Sequence, residues 1–549
     1  MQVNELLKDK PITLQNYLSA CGVKDPIRYL KYNNIDENPY WHMREAREGI
    51  YANCLTYILV DSDCDGYMSA TILSRFFTER YGNNVMMLFH ANNHKGHGLT
   101  PEIMDVLLEQ EPAQLFIPDA GSNDIQQMKT LFEKGWRIFC LDHHKIEIEN
   151  DNPYCYLISN QWQNGMQNIE NTKGSGTLVT WKFINYIDPE FANQMVSYVG
   201  ISIISDSMDL RTNENITFVR WGLTADYLMR ASLEFTQLVR ELNGDKFTPH
   251  DYSFGFITYL NAVIRLGTDE DRKFMISFLI RNGNKENYDE KIIDKAVNIC
   301  KKYHDRQTKE RNELAKTIDI NAYKDDNIIL VNMNAQTPLL GLVANKVMSS
   351  ANKTVILVNE ACGAFTGSCR SPIDAQKICN ESELFDFARG HESAFGVKFN
   401  ADNFDKIKEY FNHLDKDKIV PKFDVVKSHS GLKIPSEYFY NPLSLYTFYG
   451  VGIPSPQYYI HDVQIKTNDI MLLGHNKNTL KFTYDDVDYV KFFCTQDYIQ
   501  NILSHKGKIS LDIIGELSYN VFNGKKRKQV IINQLEIKPL TVKKASDIF

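Results

Sequence analysis

Leu55-Thr-Tyr-Ile-Leu-Val-Asp-Ser-Asp-Cys-Asp-Gly66 decides how the chain is read. Six residues rich in apolar and β-branched types predict a strand buried on both faces, as in a parallel sheet. That strand runs straight into Asp61, Asp63 and Asp65 at alternate positions. Gly66 then permits a tight turn, and Tyr67 to Tyr81 follows with the apolar spacing of a helix. The order places three acids at the carboxyl end of a central strand, where open α/β sheets bind ligands. Clustered carboxylates repel one another, and a divalent cation removes the repulsion. A solvated acidic turn is the plain alternative for the motif taken alone.

Other apolar runs answer it. Arg137-Ile-Phe-Cys-Leu is a short strand that ends in Asp142-His143-His144. Gln114-Leu-Phe-Ile runs into Pro118-Asp119, and Tyr198 to Ile204, read as a further strand, runs into Ser205-Asp206. Four strands that deliver Asp or His to one sheet edge outline a two-metal site. Imidazole with carboxylate suits Mn²⁺ or a similar ion.

Composition sets outer bounds. A chain of 549 residues holds roughly three or four domains. With 43% apolar and 24% charged residues it fits a soluble globular protein. No apolar run is long enough to span a membrane, and the first ten residues lack a signal peptide's layout. Ten cysteines without CxxC pairs favour reduced thiols and a cytoplasmic location. The net charge of −8 argues mildly against non-specific nucleic-acid binding, although affinity follows local patches.

DxDxDG, a lone Asp, Asp-His-His and a later Asp, in that order, resemble the DHH phosphoesterase superfamily. Within it the chain is similar to the RecJ-type single-strand-specific exonucleases, over nearly its whole length. Asn93-His-Lys-Gly-His-Gly-Leu-Thr100 resembles the family's Gly-aromatic-Gly-Leu loop, with His97 at the aromatic position. Tyr259-Leu-Asn-Ala-Val-Ile-Arg-Leu-Gly267 resembles another family stretch, with Ile264 where Gly is usual. Arg265 in it meets either DNA or an acid. Ala388-Arg-Gly-His-Glu-Ser-Ala-Phe-Gly396 resembles the Gly-Gly-His-x-x-Ala-Ala-Gly of the DHH-associated domain. There Gly390 lets a backbone approach phosphate, and His391 and Arg370 can donate hydrogen bonds to it.

In order, residues 1–54 are expected to be a helical preface and 55–210 the DHH catalytic domain. Residues 211–318 are read as helical, ending in a long charged helix from Lys285 to Thr317. Residues 319–415 form a smaller α/β DHH-associated domain and 416–449 a linker. Residues 450–549 hold short alternating strands that suggest a small barrel of the OB type. The fold class is therefore α/β, with two α/β lobes joined by a long helix plus an OB-like barrel. Near the C-terminus, Tyr519 and Phe522 offer stacking surfaces while Lys525, Lys526, Arg527 and Lys528 offer charge, the pairing that single strands need. A solubilising hairpin tip is the alternative there. Gly174-Ser-Gly-Thr177 opens a helix and either cradles phosphate or serves packing.

The resemblance implies an exonuclease on single-stranded DNA, of 5′-to-3′ polarity, acting in recombination, repair or replication. It implies two divalent cations, Mn²⁺ or Mg²⁺, held by Asp61, Asp63, Asp65, Asp119, His143 and Asp206. Asp119 would bridge them, His144 would meet the scissile phosphate and Asp142 would orient the histidines. Many relatives have His where this chain has Leu59, so Asp61 is either a ligand or a support for one. Implied partners are the DNA strand and a helicase or single-strand-binding protein. Two other readings are a DHH hydrolase of short oligoribonucleotides or cyclic dinucleotides, and an inactive relative that only binds DNA.

Overall fold

A computed structural model describes residues 1–31, 35–36, 38–90, 96–147, 151–162, 169–284, 286–333, 338–431, 434–505, 507–522 and 524–538. By internal contacts the chain divides into two compact units. One comprises Val23–Glu310 with Phe448–Ile453; the other comprises Met1–Gly22, Arg311–Thr447 and Pro454–Phe549.

In the first unit the expected parallel sheet is present. Its five strands lie in the order Asn84–Phe89, Leu55–Val60, Gln114–Pro118, Arg137–Asp142, Tyr156–Ser159, all parallel. Leu55–Val60 and Gln114–Pro118 are neighbours although a strand intervenes in sequence, so the order reverses between them. Crevices form at such a reversal. Phe116 and Phe139 stack across adjacent strands at 4.3 Å, a contact that adds about 0.5–1.5 kcal/mol to their burial. Against the sheet packs the Cys64–Tyr81 helix, in which every residue from Cys64 to Phe77 is buried.

Two expectations in this unit need correction. The helix after the acidic motif starts at Cys64 and not at Tyr67, with Asp63 as its N-cap. Gly66 is thus inside the first turn, where a Cβ would sit 2.6 Å from the Asp61 Cβ. Its role is close packing and not a tight turn. The second correction is larger: the run from Tyr198 to Ile204, read as a strand, lies inside the Val196–Ser205 helix. Gly200 explains the outcome. A Cβ there would fall 2.7 Å from the Phe218 carbonyl and 3.0 Å from the Gly222 Cα. This helix and Asn213–Gly222 therefore cross glycine to glycine, and tertiary contact overrides the β propensity of Val and Ile. Ser202 and Ser205 donate back to the carbonyls of Val199 and Ser202, which satisfies their hydroxyls in a buried helix.

The second unit holds two larger sheets and one of two strands. In the first, the strands lie in the order Phe387–His391, Ala394–Asn400, Ala364–Arg370, Thr354–Ala361, Ile328–Asn332. Only the last two pair in parallel. The other sheet runs Ser428–Ser430, Tyr458–Lys466, Lys508–Phe522, Lys525–Lys538, Val487–Lys491, Thr479–Tyr484, Met471–Leu473. This is OB-type strand order, bent by bulges at Ile460/Val463 and Ile514/Gly515. Among the described residues it stays open at one seam, because Tyr458–Lys466 pairs with neither of the last two strands, and so it is not a closed barrel. Residues 422–425, in the stretch read as a linker, pair in parallel with a Gln2–Glu5 strand inside the expected helical preface. Ile434 and Phe439 from the same stretch are buried in the core of the seven-stranded sheet. The long helix spans Glu290–Lys316. No helix among the described residues is long and apolar enough to cross a membrane.

Candidate metal centre

Strand ends build the centre. Asp61 follows Val60, Asp119 follows Pro118 and Asp142 closes its own strand, while Asp206 caps the Val196–Ser205 helix. Three sheet strands, the start of the Cys64–Tyr81 helix and the end of the Val196–Ser205 helix thus converge, in place of the four strands expected. Asp119 holds a left-handed backbone, φ 63°, which aspartate tolerates better than most residues. Its amide donates to the Leu141 carbonyl at 2.8 Å. Gly176 at the start of the Gly176–Ile187 helix faces it, and a Cβ there would collide with the Asp119 carboxylate.

Each acid is held differently. Asp63 accepts from the Gly66 amide at 3.1 Å. Asp65 accepts from the amides of Gly176 and Thr177 at 2.8 and 2.9 Å, and from the Thr177 hydroxyl. The helix start that offered a phosphate cradle is therefore engaged with Asp65. Asp142 accepts from the amides of Ser122, His143 and His144, and its Oδ1 lies 2.8 Å from His144 Nδ1. Burial pushes the Asp142 carboxyl up, but the charge and hydrogen bond of His144, with His143 and His97, hold it far below the usual range.

Asp119 is the opposite case. Its Oδ1 lies 3.2 Å from His143 Nε2, out of line for a hydrogen bond, and has no partner among the described residues. Burial, then Asp65, Asp63, Asp61 and Asp206, raise its carboxyl well above normal. Burial also raises Asp65. An orphaned buried oxygen ringed by acids fits a cation. Donor atoms of Asp61, Asp63 and Asp119 lie within 4.8 Å of one another, as do those of Asp65, His143 and Asp206, and those of Asp119, Asp142, His143 and His144. All eight sequence-predicted residues of the centre therefore meet. Burial pushes the Cys64 thiol up, so it remains protonated beside them.

Two histidines escaped the sequence reading as site residues. His90 is buried, with its Nε2 3.8 Å from Asp61 Oδ1, and His97 Nδ1 lies 3.2 Å from Asp61 Oδ2. The sheet register could have pointed to His90, since Val60 pairs with Phe89. Asp209 is a third omission. It binds Arg211 and Lys173 at 2.6 Å each and so braces the segments that carry Asp206 and Gly176.

The other predicted residues sit elsewhere. Arg265 points to Gln307 of the long helix, with Nη1 3.5 Å from Oε1. In the second unit, Ala394 is opposite both His391 and Arg370, which gathers Arg370, Gly390 and His391 at one sheet corner. The Arg370 guanidinium is wedged beside Gly341, where a Cβ would be 2.7 Å from Nη2. No carboxylate forms an ion pair with it among the described residues, and burial lowers its pKa. On the hairpin, Lys526 Nζ lies 4.0 Å from the Tyr519 ring and 5.0 Å from Tyr440. Lys528 donates to Ser436 at 2.8 Å, Arg527 is 3.9 Å from Asp488, and Lys525 is exposed. The Phe522 side chain lies outside the described residues. Tyr440, 68% exposed, was missed because its segment read as a linker.

Residues 56–203 match the model of the DHH family, N-terminal domain, and residues 432–534 match the RecJ OB domain. The chain thus carries a DHH domain and a RecJ OB domain. Among its relatives is the SPbeta prophage protein YorK of Bacillus subtilis (strain 168), whose assignment as a single-strand DNA-specific exonuclease is itself provisional. The identity is 26%, over 95% of this chain and 96% of that one. The single-stranded-DNA-specific exonuclease RecJ of the same organism is 22% identical over 87% of this chain and 60% of its own. The chain has the fold of RecJ from Thermus thermophilus in complex with Mn²⁺, with a TM-score of 0.72, 18% identity and coverage of 98% and 79%. The same protein with Mg²⁺ gives a TM-score of 0.65.

Proposed function

We propose that this chain is a divalent-metal-dependent exonuclease acting on single-stranded DNA. The observation that carries the reading is the buried Asp119 oxygen, without a hydrogen-bond partner among the described residues and 3.2 Å from His143, with further ligand-type side chains around both residues. Asp61, Asp63 and Asp119 would hold one ion, Mn²⁺ or Mg²⁺. Asp65, His143 and Asp206 would hold the other, with Asp119 shared. Cations held there would supply charge for the phosphate oxygens and acidify an attacking water.

The chain's own groups do the rest. Asp142, held ionised by the charge and hydrogen bond of His144 with His143 and His97, would orient His144 to donate to the scissile phosphate. Arg370, Gly390 and His391 would receive a phosphate of the strand, for which an Arg without a carboxylate partner is suited. Tyr519, Tyr440 and the lysines of the hairpin would hold the strand by stacking and charge. Polarity of 5′ to 3′, a helicase or single-strand-binding partner, and work in recombination, repair or replication follow from the family resemblance.

Strands labelled at one end and blocked at the other test this. Chelated protein should release nothing, and added Mn²⁺ should restore nucleotide release from linear strands. Blocking the 5′ end should stop release. If only a 3′ block stops it, the polarity is wrong. If metal restores nothing, the enzyme reading is wrong.

A further inference from the structure

Asp61 differs from the other two acids of its motif in what surrounds it. Backbone amides hold Asp63 and Asp65. Asp61 instead stands between two imidazoles, with His90 Nε2 3.8 Å from Oδ1 and His97 Nδ1 3.2 Å from Oδ2. The sheet makes the first of these neighbours. Val60 and Phe89 pair in register on adjacent parallel strands, so Asp61 and His90 leave the sheet side by side.

His90 is 4% exposed, and neither of its ring nitrogens has a partner among the described residues. Asp61 Oδ1 is likewise buried and without a partner. A buried imidazole carries at least one N–H, and leaving it and a facing carboxylate oxygen unsatisfied is costly. The gap between them is only about an ångström longer than a hydrogen bond. Gly96 backs onto the ring, where a Cβ would collide with Nδ1, so the imidazole is confined from behind. On the other oxygen, the edge of the His97 ring also contacts His144, with centroids 4.5 Å apart.

We propose that His90 and His97 clamp Asp61, one imidazole N–H to each carboxylate oxygen, and thereby fix it for cation binding. They are positioning residues: the outer lone pairs accept from the histidines, and the inner ones remain for the ion. Metal-binding groups are generally held by such outer partners, whose loss costs about 10–100-fold in affinity. The inference rests on the reading that Asp61, Asp63 and Asp119 hold a cation.

Mn²⁺ binding to chelator-stripped full-length protein, followed by the electron paramagnetic resonance of free Mn²⁺, tests it without reference to activity. His90→Leu and His97→Ala should each weaken binding by about tenfold or more. His90→Gln, which restores an N–H donor, should stay within about threefold of wild type on the same scale. His97 is 46% exposed in its side chain, so its replacement tests the clamp even if His90→Leu does not fold. Wild-type affinity in His97→Ala, or His90→Gln as weak as His90→Leu, overturns the clamp. Absence of Mn²⁺ binding by the wild type overturns the metal reading itself.

Discussion

At the scale of residues, the centre keeps two buried carboxylate oxygens, one on Asp61 and one on Asp119, without a hydrogen-bond partner among the described residues. Asp119→Asn keeps a side chain that tolerates the left-handed backbone and removes the charge. Hydrolysis should fall by about a thousandfold, the size of a several-kcal/mol loss of charge stabilisation. The metal-free protein should melt no earlier than wild type, because burial and neighbouring acids already oppose ionisation there. A variant that melts much earlier yet keeps its rate contradicts the assignment. Asp209 gives a pH test. Burial pushes its carboxyl up, but hydrogen bonds from Arg211 and Lys173 more than offset this and hold it at about 2. That is below the ~3.9 of an unfolded aspartate. Its contribution is therefore present above pH ~4 and is lost as pH falls through about 2. The urea midpoints of wild type and Asp209→Asn should converge between about pH 5 and pH 2, and a constant gap refutes the pairing. The gathering of the eight acids and imidazoles was legible because such residues end apolar runs. His90 was not, because its place beside Asp61 depends on which strand lies beside Leu55–Val60, and pairing is not written in either run.

At the scale of elements, the strands around the acids were legible to within a residue or two, since runs buried on both faces are short and continuous. The Tyr198–Ile204 run misled for a physical reason: a wholly buried helix and a buried strand share one composition, and the deciding glycine contact is with a helix further along. Gly200→Ala tests that contact. Alanine's helix propensity favours the change by about 1 kcal/mol, but backbone on both sides resists the added methyl. A net destabilisation of about 1–3 kcal/mol is expected by chemical denaturation, with weaker Mn²⁺ binding as Asp206 shifts. A stabilised variant would mean that the helices do not meet there. The hairpin separates stacking from charge. Tyr440→Ala should cost about 1–3 kcal/mol of single-strand binding without changing its salt dependence. Replacing Lys525 and Arg527 by Ala should flatten the slope of log K against log salt by about 1.4, if each meets one phosphate. Coincident slopes exclude the charged tip from the strand.

At the scale of the molecule, the α/β class and the OB-type sheet were foreseen from periodicity and resemblance. Two tertiary facts were not: the pairing of Gln2–Glu5 with Lys422–Val425, and the burial of Ile434 and Phe439 in the C-terminal sheet. Both depend on residues far apart in sequence or in a stretch without regular periodicity. The proposed function takes a long strand, and not a dinucleotide, as substrate, on the strength of the C-terminal sheet and its cationic, aromatic hairpin. The most direct test is Mn²⁺-dependent hydrolysis by the wild type and Asp119→Asn on three substrates: a long linear single strand, the same strand circularised, and a dinucleotide. Rapid release from the linear strand alone, abolished by Asp119→Asn and by chelation, is the predicted result. Hydrolysis confined to the dinucleotide, or strand binding with no hydrolysis of any substrate, would contradict the account.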